Sequence, residues 1–476
     1  MDNILTQICS EMVENLLQEL SEGETFILGQ RSERLLSVAK EGIRQLLGAA
    51  AELTDHTVLQ AKKDRKIDGL TVHQKKVPRS VETSVGTVTY RRTYFRTKDG
   101  TYLYLTDHLI GVERMERVTK ELCAKLLGNS AYVSMQTALD MEDCSLTRQT
   151  VDNKLLAMKE VAFDMERMEH APEVLYLFAD EDHVSLRPKH STCVPCVTVT
   201  EGIDTSDPKR HRTIHPIHFQ GYGQEPDAFA ENILSALYER YDMKQVKRIV
   251  VHSDGGNWIR TLVDILPNSI HVMDGFHLEK HLKSLWKFPG AKKYASAIRA
   301  AIKGDDFEGF VRSCAKISDE LDEKRLSDFT DQVNYFQNRW ESIVAHASGN
   351  YGGSCTEALI SHVLSDRLSR DPISWSRTGL ARMAQLRAFA LNGGKVTGND
   401  IRVSRNRDEQ QQDLARLQGG LEKYNRYAKK QMDEVVKNKH DWSIFDKKLQ
   451  EAAELYTKRT GTSILMKACG RIPRIV

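Results

Sequence analysis

Three acidic residues occupy positions from which a metal site could be built. Asp180 sits midway along an apolar run, Leu175-Tyr-Leu-Phe-Ala-Asp-Glu-Asp-His-Val-Ser-Leu. An ionised Asp inside an apolar strand is costly unless it is paired or binds a cation. Asp182 shares its face by period-two alternation and offers a second ligand. Asp254 ends another apolar strand in Ile249-Val-Val-His-Ser-Asp-Gly-Gly-Asn. Sites form at the carboxyl ends of strands in such sheets, and Gly255-Gly256 permits close approach of a ligand. Taken alone, Asp254 reads equally as a turn residue or as a helix N-cap before Trp258. Glu357 begins the helix Thr356-Glu-Ala-Leu-Ile-Ser-His-Val-Leu-Ser-Asp-Arg, where a first-turn acid also complements the helix dipole. In combination the three are an acid within a first strand, an acid after a fourth, and an acid opening a helix behind an all-helical stretch.

Other groupings compete for chemistry. His277 and His281 lie four apart on one helix, with Asp274 three residues before His277; helical His pairs of this spacing bind zinc. A metallopeptidase helix would carry Glu directly after His277, and Leu278 stands there instead. Cys193-Val-Pro-Cys196 has zinc-knuckle spacing without a second pair and falls inside an apparent strand, so it reads as strand packing. His215 and His218 on the next strand leave a local metal site there open. Arg367 and Arg370 follow Glu357 on its helix and could hold a DNA backbone. Trp258, Trp286, Trp340 and Trp375 read as core residues, given their apolar neighbours.

The elements that must position these residues are legible in the periodicities. Residues 1–60 show two helical patterns, through Ile4, Ile8, Met12, Leu16 and Leu20, then Leu35, Leu36, Ile43 and Leu47. Over 61–110 the period is two: Val85–Phe95 and Thr101–Leu105 flank the turn Lys98-Asp99-Gly100, which predicts a hairpin. Arg91, Arg92 and Arg96 stand among Tyr90, Tyr94 and Phe95, a ribbon that could meet DNA through phosphate contacts and aromatic stacking, although a merely structural small sheet is the favoured reading. Residues 111–170 predict three short helices, the last beginning at Leu146, with Leu139, Val151 and Leu155 behind it. That is the layout of a helix-turn-helix.

Residues 171–288 read in order as three strands, helix, strand, helix, strand, helix, which predicts an α/β mixed sheet. Residues 289–350 are helical throughout. The segment 351–394 carries the Glu357 helix, stopped by Asp371-Pro372. From Lys395 to Val476 there are 18 Lys+Arg against 11 Asp+Glu, an excess of seven positive charges (18 less 11), so 395–476 predicts a basic helical region able to neutralise phosphates.

At 476 residues the chain has length for two to four domains. The eight cysteines are scattered, which argues against a disulfide framework. No apolar run approaches the ~20 residues that span a bilayer. The N-terminus lacks the basic start of a signal peptide, and a cytoplasmic protein with no membrane partner is expected.

The strings LFADEDHVSL, VVHSDGGNWI, HVMDGFHLEKHL and SCTEALISHVLSDRLS, in that order across 174–390, resemble the DDE transposases of bacterial insertion sequences. These belong to the broad group that includes Mutator-like elements, and the likeness is greatest to the ISLre type. The resemblance implies a ribonuclease-H-like mixed sheet interrupted by an all-helical insertion, preceded by helical and β-hairpin DNA-binding regions. It maps the catalytic triad onto Asp180, Asp254 and Glu357, and a further Asp-x-x-His element onto Asp274 and His277. It implies two Mg²⁺ or Mn²⁺ ions ~3.5–4 Å apart, held by Asp180, Asp254 and Glu357, with Asp180 shared between them. Hard oxygen ligands suit those ions, and no covalent protein intermediate is required. His277 would contact the scissile phosphate or position a neighbour of the metals. The implied partners are terminal inverted repeats bound through 60–160 and target DNA, with a homo-oligomer acting at synapsis. The rival expectations are a transposase-derived DNA-binding regulator that does not cut, and a different metal-dependent nuclease or zinc hydrolase.

Overall fold

The computed structural model describes residues 2–21, 27–188, 190–207, 212–370, 373–401 and 421–437. The helix stop at Asp371-Pro372 and most of the basic segment from Lys395 onward lie outside them. The chain divides into two compact units. One holds the described residues of 1–126, 139–147 and 397–476, the other those of 127–138 and 148–396.

In the first unit α1 (Asp2–Ser21) and α2 (Leu28–Gln60) form the two helices that the apolar spacing predicts, followed by a short α3 (Lys62–Ile67). A long antiparallel pair follows, β1 (Thr71–Thr83) and β2 (Gly86–Arg96), then the two-residue β3 (Tyr102–Leu103) and α4 (Leu105–Leu109). The expected hairpin across Lys98-Asp99-Gly100 is therefore only the short β2–β3 pair, while the main partner of β2 is β1. The first ten residues of β1 are exposed or half-buried, so no apolar alternation announced that strand. For Arg92, Tyr90 and Phe95 the structural reading of the ribbon holds. All three are buried, Arg92 in an ion pair with Asp107 and stacked over Tyr104, and Tyr90 donating to Asp107 at 2.8 Å. Arg91 and Arg96 remain exposed.

Asp55 of α2 ties this unit together. Its buried carboxylate accepts from the Thr93 backbone N–H (2.7 Å), the Thr93 hydroxyl (2.7 Å) and the Thr106 hydroxyl (2.6 Å), joining α2, β2 and α4. At the other end Asp68 accepts from Tyr424 (2.6 Å) and Lys423 (2.7 Å) of the helix Glu422–Lys437. The three helices expected over 111–170 are α5 (Lys120–Ser130), α6 (Met135–Met141) and α7 (Arg148–Ala157). Leu139, Val151 and Leu155 are buried, while Arg148, Gln149 and Asn153 of α7 are exposed.

The second unit is built on β4 (Val174–Leu186), β5 (His190–Thr200) and β8 (Ile217–Gln220), which are antiparallel, with a small β6 (Gly202–Asp204) and β7 (Arg212–Ile214) ribbon between β5 and β8. After α8 (Pro226–Arg240) come β9 (Arg248–Ser253), α9 (Asn257–Ile265), β10 (Ser269–Met273) and α10 (Gly275–Leu285). β9 is parallel to β4 and β10 parallel to β9, giving the sheet order β10-β9-β4-β5-β8. One face buries Leu175, Leu177, Ala179, Ile249 and Val251 against Phe229, Ile233 and Leu237 of α8 and Ile259 and Leu262 of α9. Residues 291–348 form α11 (Ala295–Lys303), α12 (Phe307–Ser318), α13 (Glu323–Gln337) and α14 (Trp340–Ser348) around Phe310, Phe329 and Phe336. Then follow α15 (Thr356–Ile360), a π-helical turn (Ser361–Ser365), α16 (Asp366–Leu368) and α17 (Arg377–Leu391). Trp375 is buried; Trp258, Trp286 and Trp340 are half-buried against the cores. No helix among the described residues is long and apolar enough to cross a membrane.

Asp55→Ala leaves three buried donors without their acceptor and is expected to lower the stability of the first unit by about 3 kcal/mol. Hydrogen exchange at the Thr93 amide reads this directly. Protection equal to the wild type would show that Asp55 is not the tie.

Candidate metal centre

Asp180 reaches the site because β4 alternates. Phe178, Asp180 and Asp182 share one face, while Leu177 and Ala179 enter the core on the other. Asp180 is 9% exposed. Donor atoms of Asp180, His277 and Glu357 all lie within 4.8 Å of one another, with His277 Nε2 3.9 Å from Asp180 Oδ2. His277 Nε2 is buried without a hydrogen-bond partner. Burial pushes the Asp180 carboxyl up to about 6, the charges of Asp254 and Glu357 push the same way, and the Glu181 N–H and His277 pull it down. Glu357 is exposed, and a buried carboxylate with other acids beside it is what a cation would relieve. Carboxylate oxygens suit Mg²⁺ or Mn²⁺, so Asp180 and Glu357 fit the ions expected from the sequence, while Asp254 lies outside the group whose donor atoms are within 4.8 Å of one another.

Asp254 sits on a turn rather than at a helix N-cap, since α9 is capped by Gly256. Its Oδ1 accepts from the Gly256 N–H at 3.0 Å. Gly255 has φ +80, and a Cβ there would stand 2.8 Å from Arg339 Nε, so only glycine fits. The helical segment between α10 and α15 supplies the clamp. Arg339 Nη2 donates to the Gly255 carbonyl at 2.9 Å and its guanidinium stacks over Tyr335 at 4.3 Å. Neither residue was a candidate on sequence grounds.

Asp274 is a buried N-cap of α10. It accepts from the Phe276 N–H (2.8 Å) and the His277 N–H (3.3 Å), and from the Ser354 hydroxyl. It therefore orients His277 and anchors the chain entering α15. Asp182 is buried on the same face as Asp180, and among the described residues its Oδ2 has no hydrogen-bond partner. Its Oδ1 accepts from Ser365 and Ser369, both at 2.9 Å, tying β4 to the segment that carries Glu357. The π turn between them is a device often found at functional sites. Here Arg387 of α17 takes up its carbonyls, donating to His362 O (2.6 Å) and Val363 O (2.9 Å).

Several sequence expectations separate in space. His281 stacks on Tyr335 with ring centroids 3.6 Å apart and, among the described residues, joins no ligand group with His277. Arg367 is buried, donating to Ser130 O at 2.6 Å, so it is structural rather than a DNA contact. Arg370 is paired with Asp366. Cys193 and Cys196 are three apart in a strand and so point to opposite faces. His218 bonds Thr198 at 2.9 Å and His215 pairs with Glu201 at 3.0 Å, so neither histidine completes a site with the cysteines.

The chain belongs to the family described as Uncharacterised protein family (UPF0236), whose pattern spans residues 22–404. A UPF0236 protein of Caldanaerobacter subterraneus subsp. tengcongensis is 31% identical over 366 residues, covering 74% of this chain and 76% of its own. Another from that organism is 30% identical over 409 residues, 83% of this chain and 85% of its own. A third is 31% identical over 363 residues, 74% and 75%, and its name joins eleven locus designations.

Two predictions test the geometry. The carboxyl of Asp180 holds its proton more tightly folded than unfolded, near 3.8, so its ionisation destabilises the metal-free fold above about pH 6 and relief comes as pH falls toward 4. Asp180→Asn should therefore raise the stability of the chelated protein at pH 8 by about 2 kcal/mol, a gain that fades below pH 6 in urea titrations. An unaltered midpoint at pH 8 would refute the buried-charge account. Separately, Ser365→Ala with Ser369→Ala removes both donors to Asp182 and should cost roughly 3 kcal/mol; a double variant as stable as wild type would rule out the tether.

Proposed function

We propose that the chain is a DDE transposase of the ISLre type, cutting and joining DNA strands with a ribonuclease-H-like core. The observation that carries this reading is the convergence of Asp180, Glu357 and His277 within 4.8 Å, with the charge of Asp254 felt at Asp180. An acid from a first strand and an acid from a helix behind an all-helical insertion lie together, and the acid that ends the fourth strand would complete the set. The sheet order β10-β9-β4-β5-β8, three antiparallel strands continued by two parallel ones, supports the ribonuclease-H-like assignment. A relative whose name joins eleven locus designations in one organism supports the mobile-element reading, because an element that copies or moves itself leaves one protein encoded at many places.

Asp180, Asp254 and Glu357 would hold two Mg²⁺ or Mn²⁺ ions, which activate the attacking oxygen and stabilise the leaving oxygen of a phosphodiester. The chain's own part is to hold the three carboxylates in place. The Asp182 tether, the Asp274 cap and the Arg339 clamp serve this, while the unpartnered Nε2 of His277 is free to meet a phosphate oxygen beside Asp180. In the first unit, exposed Arg91 and Arg96 beside the Tyr94–Tyr102 stack (centroids 5.0 Å apart) suit phosphate and base contacts. The exposed polar face of α7 suits groove contacts. Synapsis of two ends calls for a homo-oligomer.

Purified protein should nick a duplex carrying its element's end in Mn²⁺. Asp254→Ala and Glu357→Ala should each lower cleavage on the order of 10²-fold or more while end binding by mobility shift is retained. Full cleavage by either variant ends the assignment. Wild-type binding without any nicking would favour the non-cutting regulator.

A further inference from the structure

Beyond the carboxylate centre, the geometry points to a second cation site on the opposite face of the same strand, formed by Glu181, His183 and Cys193 and suited to Zn²⁺. These are the residues next in register beyond Ala179 on the core-facing side of β4, with their partner on β5. His183 stands directly opposite Cys193 in the antiparallel ladder, where side chains on one face approach most closely. Glu181 lies two residues along on that face.

The three donors are already together. Cys193 Sγ is 3.2 Å from His183 Nδ1, and all three ligand atoms lie within 4.8 Å of one another. Zinc bonds of ~2.0–2.3 Å in a tetrahedron put ligands roughly 3.5 Å apart, so closing on an ion asks for about an ångström of side-chain movement. Thiolate, imidazole and carboxylate form a mixed set that selects a borderline-soft ion over Mg²⁺. The fourth position is open to water, since His183 is exposed. On binding, the Cys193 S–H bond gives its proton to solvent and the sulfur lone pair goes to the metal; no redox change is involved. The backbone ladder pre-orients two of the ligands, so little ordering remains to be done.

The site is independent of the carboxylate centre, and its test keeps the two apart. Chelator-stripped full-length protein is titrated with Co²⁺ in excess Mg²⁺. One equivalent should bring up a thiolate-to-Co²⁺ charge-transfer band with tetrahedral d–d intensity, and Zn²⁺ should abolish both. Cys193→Ser should lose the band, with circular dichroism confirming its fold. The exposed-site variant His183→Gln should weaken Co²⁺ binding by at least about tenfold, the loss typical of even outer-shell changes. Asp254→Ala should bind as the wild type does. No charge-transfer band in the wild type, its survival in Cys193→Ser, or unchanged affinity in His183→Gln would each overturn the site.

Discussion

A carboxylate held out of water beside other acids is the constraint around which the second unit is organised. Glu357 is exposed, yet one of its carboxylate oxygens lies within 4.8 Å of Asp180. Asp180 is desolvated. Among the described residues the one basic side chain within ion-pair range of it is His277, at 3.9 Å. The fold holds these groups together by fixing the backbone that carries each one, rather than by neutralising them with arginines.

Each fixture is a hydrogen bond to main chain or between side chains just outside the centre. Arg339 grips the Gly255 carbonyl and leaves the Asp254 carboxylate alone. Asp274 is consumed by two N–H groups and the Ser354 hydroxyl, and His277 is aimed by the helix it caps. Arg387 lies deep in α17 and satisfies the π-turn carbonyls, which would otherwise be orphaned in a buried segment. A cation in the centre would gain the repulsion that these contacts sustain, so under the proposed function metal binding and local stability are coupled.

The acids themselves were legible because each breaks a local pattern: Asp180 interrupts an apolar strand, Asp254 precedes Gly-Gly, and Glu357 follows a long helical stretch. The strands and helices of 174–286 were legible from the same periodicities. What holds them was not. Asp182 and its partner Ser365 are 183 residues apart, and Arg339 meets Gly255 across 84; no spacing in a single sequence encodes such pairs. Arg92 looked like a phosphate contact because its neighbours are aromatic, yet burial against Asp107 turned the same composition into core. The His277/His281 pair failed for a related reason. Helical spacing puts both on one face, but Tyr335 covers His281.

β4 also explains why its register matters more than its hydrophobicity. Through Ala179 the strand is buried on both faces or nearly so, and a one-residue slip there would exchange one apolar side chain for another. From Asp182 to Leu186 the pattern becomes strict, with 182, 184 and 186 buried and 183 and 185 exposed. A slip in this half would bury His183 and Ser185 and expose Val184 and Leu186. It would also strip Asp182 of its two serine donors. The polar half of the strand therefore sets the register of the apolar half. Through that register it decides that Asp180 faces Glu357 and His277 while Glu181 and His183 face Cys193.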